Sequence, residues 1–267
     1  MNLRGIKALC HKVVFEVRYD HGLTYLDRCG TTANRIIAAF PEWVLADEGA
    51  NPQNAPLVSL SSGAQFNFGP LKYDFSLEQP TNSETGLTKG DLDVFASQGD
   101  LVGRIVQEEL ELKIFSREGF RVWYVFGATS EKHANQLLSG IQAFHIDPIV
   151  TEAFSGELES QGYVAVIAGK DRKFRISANV VERLEQLNVG TQSLKTLPRR
   201  LPTKQREALL EQLREKRRVV ANPQFAVMID VDCYLDNPID IAPTDFIHKS
   251  LEILEGALPK LFGKGGS

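Results

Sequence analysis

Cysteine is scarce in this chain of 267 residues, and long apolar runs are absent. The three cysteines, Cys10, Cys29 and Cys233, are far apart and form no Cys-x-x-Cys pair, which argues against a zinc knuckle or a dithiol redox site. We therefore expect reduced thiols and a cytoplasmic location. No apolar run approaches the roughly 18 residues that span a bilayer, and the first residues lack the apolar core of a signal peptide. The sequence predicts neither secretion nor a membrane partner.

The common catalytic motifs are missing as well. The chain has no P-loop, no Gly-x-Gly-x-x-Gly turn, no Gly-x-Ser-x-Gly elbow and no His-Glu-x-x-His pair, and its five histidines are not spaced as metal ligands. These absences argue against a nucleophilic hydrolase and against a histidine-based metal site. We predict a non-catalytic protein without a cofactor, and we keep one enzyme alternative that depends on carboxylates.

What the chain does have is clear alternation of apolar and polar residues, most of all in residues 225–235. Six apolar residues fall on one side of this predicted strand, whereas Asp230 and Asp232 fall on the other, because side chains alternate with period 2. One face is predicted to be core and the other to be solvated. This pattern is typical of an antiparallel sheet that is covered on one side only.

Similar patterns recur along the chain. The predicted strands are residues 13–19, 57–60, 65–68, 71–78, 120–126, 163–168, 173–180 and 225–235. The predicted helices are residues 24–40, about 98–117, a helix capped by Thr129 or Ser130, 204–217, and a last helix capped by Thr244. Gly119 is predicted to end the second of these helices.

Both halves share one order of predicted elements: strand, helix, several strands, helix. Residues 32–37 in the first half also resemble residues 133–138 at the equivalent place in the second. We predict an α+β fold in which a duplicated strand-helix-strands-helix unit forms a mainly antiparallel sheet with helices on one face. The first repeat covers residues 1–118, and the second covers 119–267 with a charged helical insertion at about 182–222.

Three short strand motifs carry a resemblance to a known family. They are VVFEVRY at residues 13–19, RVWY at 121–124 and DVDCY at 230–234. With the order of elements, they resemble an uncharacterised, sporadically distributed family of bacterial proteins of about this length. That family has no established catalytic residues to transfer. Its patchy distribution implies mobile or phage-defence gene neighbourhoods.

A strongly basic segment lies within the insertion. Residues 195–218 carry nine basic residues against three glutamates, whereas the whole chain has a formal net charge of −4. Such segregation is typical of a site for phosphate backbones or for an acidic protein. No aromatic residue is interleaved for base stacking, so we favour a protein partner or a solvated helix over nucleic acid. The residues assigned to partner binding are Arg199, Arg200, Lys204, Arg206, Arg214, Lys216, Arg217 and Arg218.

The enzyme alternative depends on Asp230 and Asp232, two carboxylates on one strand face that could hold a divalent metal ion for phosphoryl transfer. Glu16 would supply a third ligand if the first and last strands pair. Arg18 lies on the same face as Glu16 and would as readily form a cross-strand ion pair with an aspartate. We favour the ion-pair interpretation over the metal site.

The sequence therefore favours a non-catalytic interaction or sensing subunit of a bacterial multi-protein system. Its partner is a protein, encoded nearby, or a nucleic acid that binds the basic insertion, and homo-oligomer formation stays open. The alternatives are the metal-dependent phosphoryl-transfer enzyme and a small-ligand-binding protein with its pocket between sheet and helices.

Overall fold

The computed structural model describes residues 2–3, 6–20, 22–46, 50–79, 85–141, 143, 149–153, 162–183 and 224–261. Its strands are β1 (Asn2–Leu3), β2 (Ile6–Lys7), β3 (Leu9–Tyr19), β4 (Trp43–Leu45), β5 (Ala55–Ser59), β6 (Gln65–Phe68), β7 (Lys72–Glu78), β8 (Phe115–Ala128), β9 (Gly162–Ala168), β10 (Lys173–Arg183) and β11 (Gln224–Asp236). Its helices are α1 (Tyr25–Ala39), α2 (Lys89–Glu109), α3 (Glu131–Ser139), α4 (Ile149–Ala153) and α5 (Pro243–Leu261). The basic segment at 195–218, with every residue assigned to partner binding in it, lies outside the described residues.

One antiparallel sheet of nine strands organises the molecule, in the order β4-β5-β6-β7-β3-β8-β11-β10-β9. β1 and β2 form a separate hairpin. β3 and β8 pair at the centre, with Val13 opposite Val122 and Phe15 opposite Phe120. The α+β class and the antiparallel sheet with helices packed on it are as predicted.

Helices cover one face of this sheet. Val227, Ile229 and Val231 of β11 are fully buried there, as their alternation predicts. Phe95 of α2 stacks on Phe75 of β7 with ring centroids 4.5 Å apart, and similar aromatic contacts join α1 and α5 to the sheet. We call this the helix-covered face and the opposite one the open face. Among the described helices, none is both long and apolar enough to cross a membrane.

The two halves follow the same order of main elements. The first half contains β3, α1, β4 to β7 and α2. The second half contains β8, α3, β9 to β11 and α5, with the short α4 between α3 and β9. One hydrophobic cluster contains residues of both. A shared order is what the duplication hypothesis predicts, and the descent of the halves from one unit stays a prediction.

The helix predicted at about 98–117 is displaced, because α2 spans Lys89–Glu109. Its start is fixed by a capping box: the Asp91 N–H donates to the Thr88 hydroxyl at 3.2 Å, and the Thr88 N–H donates to the Asp91 carboxylate at 2.7 Å. Its end is fixed by Glu111, whose φ of 54° is left-handed. β8 then begins at Phe115, so that Gly119, predicted to end the helix, lies inside a strand.

Two smaller predictions also need correction. β4 has only three residues, which is too short for alternation to show, so that the sequence does not predict this strand. Thr244 does not precede α5 as a cap, because the helix begins at Pro243 and the Thr244 hydroxyl donates to the carbonyl of Ala96 in α2 at 3.3 Å. Of the two caps predicted for α3, Ser130 is the one used, with its hydroxyl accepting from the His133 N–H.

Candidate functional site

Charged residues from five strands meet on the open face. Their positions follow from the antiparallel register, which places outward side chains of β7, β3, β8, β11 and β10 side by side. The basic members are Lys12, Arg18, Lys72, Arg117, Arg121, Lys173 and Arg175. The acidic members, one fewer, are Glu16, Asp74, Glu78, Asp230, Asp232 and Asp236. The face is therefore nearly neutral, with the two signs interleaved.

Arg117 connects the two halves at the centre of this face. Its guanidinium donates to Glu16 of β3 at 2.8 Å and to Asp232 of β11 at 2.6 Å. It also lies 4.8 Å from the centroid of the Tyr234 ring. Gly119 makes room for it, since a Cβ there would come within 3.2 Å of the guanidinium carbon. Glycine at this strand position thus seats the arginine between Glu16 and Tyr234.

Glu16 is the most heavily bonded carboxylate of the face. Besides Arg117, it accepts from Arg18 Nε at 2.7 Å and from Lys72 Nζ at 2.9 Å. Burial by itself raises the pKa of Glu16, but the hydrogen bonds and charges of Lys72 and Arg18 outweigh it and hold the pKa below the ordinary value. Arg18 thus pairs with Glu16 of its own strand, and the predicted cross-strand ion pair of Arg18 with an aspartate is not found within the described residues. Glu16 stays ionised at neutral pH.

Asp230 is the most buried charge of the face, with 5% of its surface exposed. The prediction that this side of β11 is solvated is wrong here. Arg121 binds it through two parallel hydrogen bonds, one of them from Nε to Oδ1 at 2.7 Å. The Arg121 guanidinium also lies 4.6 Å from the centroid of Trp123, the residue opposite Asp230 in the register. Lys12 reaches the same ring at 5.3 Å.

Three polar groups near this network have no hydrogen bond or ion pair within the described part of the chain. They are the Trp123 indole N–H, the Tyr234 hydroxyl and the guanidinium of Arg175. Arg175 is exposed and lies directly opposite Asp232, but Asp232 is bonded to Arg117 instead. We call these residues the open-face patch (Trp123, Arg175, Tyr234). It consists of two partly exposed aromatic side chains and a cation that no described residue pairs with.

The three carboxylates of the metal alternative do lie on this face. Each is held by a basic side chain: Glu16 and Asp232 share Arg117, and Asp230 is bound by Arg121. Burial raises the pKa of Asp232, because the attraction of Arg117 and Arg121 does not fully offset it. Within the residues that the structure describes, no group of three or more His, Cys, Asp or Glu side chains is placed to hold a metal ion. This geometry favours ion pairs.

A cavity of about 810 Å³ lies on the other side of the sheet, between α2 and α5. Leucines from both helices line it together with Cys10 and Tyr124 of the sheet. The charged residues at its lining are Lys89, Asp93, Glu252 and Glu255, and His248 lies beside Asp93 at 3.2 Å. Burial raises the pKa of the Cys10 thiol to about 12, so that this thiol is protonated at neutral pH. The lining is apolar, with a mainly acidic rim.

Sequence reasoning identified the carboxylates of the open face but missed the arginines that bind them. The sequence pattern places Arg117 at the end of the helix predicted at about 98–117 and Arg121 in the strand predicted at 120–126, and it gives neither residue a partner. Alternation alone could have placed Arg121 on the face of Asp230. The pairing of β8 with β11, which brings the two side chains together, is not encoded in either strand alone.

No family model and no curated protein matches this chain. The resemblance to the sporadically distributed bacterial family, which is carried by short strand motifs, stays a prediction.

Proposed function

We propose that this protein is a non-catalytic interaction subunit that binds a protein partner through its open-face patch. The observation that carries the proposal is the patch itself, where Trp123, Tyr234 and Arg175 have hydrogen-bonding groups that no described residue uses, beside a fixed ion-pair network. Aromatic residues and arginine are the types enriched in interface hot spots. Because Arg117 and Arg121 already hold the neighbouring carboxylates, binding would order few additional side chains.

A protein partner suits this face better than nucleic acid. A phosphate backbone selects a surface with a large excess of cations, whereas the open face interleaves both signs almost evenly. A protein surface with its own mixed charges could match such a pattern. The basic segment at 195–218 stays a second contact candidate, for an acidic protein face or for nucleic acid. A role in a bacterial defence system rests on the family resemblance, and the neighbouring genes would test it.

The open-face patch is tested by substitutions that remove none of the ion pairs of Glu16, Asp230 and Asp232. We expect Trp123→Ala to weaken partner binding roughly 30-fold, because a buried aromatic hot spot is worth about 2 kcal/mol. Arg175→Glu should also weaken binding, since it reverses the free cation. The partner is first captured from cells of the source organism with the parent protein, after nuclease treatment of the lysate, and its dissociation constant is then measured for each variant.

Lys249→Glu is the matched control for Arg175→Glu, because it makes the same charge change on an exposed position of α5, away from the open face. It should bind like the parent. A triple change of Arg214, Arg217 and Arg218 to Glu tests the basic segment in parallel. If only the triple variant loses binding, with a steep salt dependence, the contact is the basic segment and the proposal for the open face is refuted.

The cavity between α2 and α5 supports a second candidate, a small-ligand-binding protein. Its apolar lining would take a hydrocarbon group, and its acidic rim favours a cationic head over an anionic one. The Tyr124 hydroxyl has no hydrogen bond within the described part of the chain, and it could donate to the ligand. The ligand class is therefore an apolar molecule with a neutral or cationic polar end.

This second candidate predicts a selective thermal shift. Hexyltrimethylammonium should raise the melting temperature, whereas hexyl sulfate should not, because only the cation complements the rim. Leu251→Trp, which fills the cavity from α5, should abolish the shift. Ile253→Trp, at an exposed position of the same helix outside the lining, should keep it. Equal shifts with both compounds, or no shift with either, would remove the cavity as a site for this class.

A further inference from the structure

β9 is an edge strand of unusual composition. Within the described residues no strand pairs with its outer side, and its sequence, GYVAVIA, has no charged residue and no proline. Val164 is 61% exposed, Val166 60% and Ile167 47%. Sheet edges that stay solvated are normally protected by charges, proline or a bulge, since unpaired backbone groups beside apolar side chains template another strand. β9 shows none of these protections.

The turn into β10 fixes which backbone groups of β9 point outward. The Gly169 N–H donates to the carbonyl of Arg172 at 2.9 Å, so that Gly169 faces β10 across the turn. Backbone groups alternate in direction along an antiparallel strand. Ile167, Ala165 and Tyr163 therefore also direct theirs toward β10. Val164 and Val166 direct their N–H and C=O groups away from the sheet, where they are open to a further strand.

The sequence of β9 is self-complementary about Ala165. In an antiparallel pair of two copies centred there, Val164 lies opposite Val166 of the second copy on the open face. Tyr163 lies opposite Ile167 on the helix-covered face. Every cross-strand pair is thus apolar, and the outward backbone groups of Val164 and Val166 meet in the hydrogen-bonded positions. A two-fold axis requires this match of a surface with itself.

We infer that the chain forms a symmetric dimer in which β9 of two copies pairs antiparallel about Ala165, joining the two sheets into one. A second copy is the occupant because it can pair with the outward backbone groups of Val164 and Val166 without a register shift and without a different sequence. The contact extends the sheet in its own plane beyond β9, so that it leaves the open-face patch on β8, β11 and β10 uncovered. Dimerisation would present two such patches to a partner.

The oligomeric state tests this inference. Light scattering during size-exclusion chromatography should give the parent a mass of twice 29.7 kDa over a concentration series. The double variant Val164→Lys, Val166→Lys should be monomeric, because four ammonium groups would face one another across the axis. The control Leu71→Lys, Val94→Lys changes two other exposed apolar residues and should remain dimeric. A monomeric parent, or a dimeric Val164→Lys, Val166→Lys variant with an unchanged circular dichroism spectrum, would overturn the inference.

A cysteine at the axis gives a second readout that does not depend on the lysine variant folding. Ala165 would be a non-hydrogen-bonded pair with itself, where Cα atoms are about 4.5 Å apart and a disulfide fits. Ala165→Cys should therefore form a covalent dimer under mild oxidation much faster than the parent. Val94→Cys, exposed on α2, is the control. Cross-linking of Ala165→Cys at the rate of Val94→Cys would also overturn the inference.

Discussion

Replacing Arg121 with methionine is expected to destabilise the protein by about 3 kcal/mol, because it leaves the Asp230 carboxylate buried without its partner. Asp230 is 5% exposed, and the two hydrogen bonds from Arg121 are the ones it receives within the described residues. Breaking a buried ion pair by removing one partner costs about 3 to 5 kcal/mol. We take the lower end, since the Arg121 side chain is 39% exposed and water can reach part of the site.

A double-mutant cycle separates this loss from simple loss of packing. The variant Arg121→Met, Asp230→Asn should be more stable than Arg121→Met alone, since no charge is then left buried. Urea unfolding of the parent, both single variants and the double variant gives the four free energies. Arg104→Met is the matched control. Arg104 binds Asp100 at 2.7 Å on the surface of α2, so Arg104→Met should lower the free energy of unfolding by less than about 0.5 kcal/mol. Equal losses for Arg121→Met and Arg104→Met would contradict the prediction.

The second large effect concerns Glu118, which lies on the helix-covered face with 3% of its surface exposed. Its Oε1 atom is buried without a hydrogen bond within the described residues. Burial raises the pKa of Glu118 to about 7, against a smaller lowering by the Ala242 backbone N–H and by the charge of Arg172. An unfolded chain would titrate this carboxyl near its ordinary value of 4.5. The folded state therefore binds a proton more tightly than the unfolded state does.

This difference makes the stability depend on pH in a defined window. The contribution of Glu118 is fully present below pH 4.5 and is lost as pH rises through about 7, because the folded protein must then hold a buried anion. The free energy of unfolding falls by roughly 3 kcal/mol over this pH range because of Glu118. We expect Glu118→Gln to be more stable than the parent at pH 8 by up to that amount, and equal to it near pH 4.5. Glutamine can still accept the hydrogen bond from the Ala242 N–H.

Glu16→Gln is the control, because folding shifts the pKa of Glu16 in the opposite direction to that of Glu118. The pKa of Glu16 is lowered in the folded protein, so its contribution is present at neutral pH and is lost as pH falls through the folded pKa. Glu16→Gln should therefore be less stable than the parent at pH 8, and the difference should shrink in acid. Urea titrations at several pH values measure both variants as differences from the parent, which cancels the titration of all other groups. A Glu118→Gln variant whose difference from the parent does not change with pH would refute a raised pKa.

Much of the architecture could be predicted from local pattern. Alternation in residues 225–235 gave the buried face of β11, since Val227, Ile229 and Val231 are all fully buried. The predictions from sequence were wrong where the helical and the strand periods overlap, as between residues 98 and 117, or where a strand is as short as β4. There the deciding contacts are the Thr88 capping box and the left-handed Glu111, which hydrophobic period alone does not show.

The sequence indicates the acidic residues of the candidate site but not the basic residues that bind them. Asp230, Asp232 and Glu16 stood out because carboxylates on a strand face suggest chemistry. Their actual partners, Arg117 and Arg121, lie more than 100 positions from Glu16 and Asp230 in the hydrogen-bond pairs that the structure makes. Composition and spacing carry no signal for contacts of that separation, since they are created by strand pairing.

The sequence by itself determined the α+β class, the antiparallel sheet and which face of β11 carries the apolar side chains of the core, because side-chain alternation and helical period are local properties. Tertiary structure alone decided that β8 lies between β3 and β11. That pairing seats Arg117 over Gly119 between Glu16 and Asp232, aligns Arg121 with Asp230, and leaves Arg175 without an ion pair among the described residues. Strand order sets which side chains meet. Because Glu16, Asp230 and Asp232 meet arginines, these three carboxylates form fixed ion pairs beside the open-face patch.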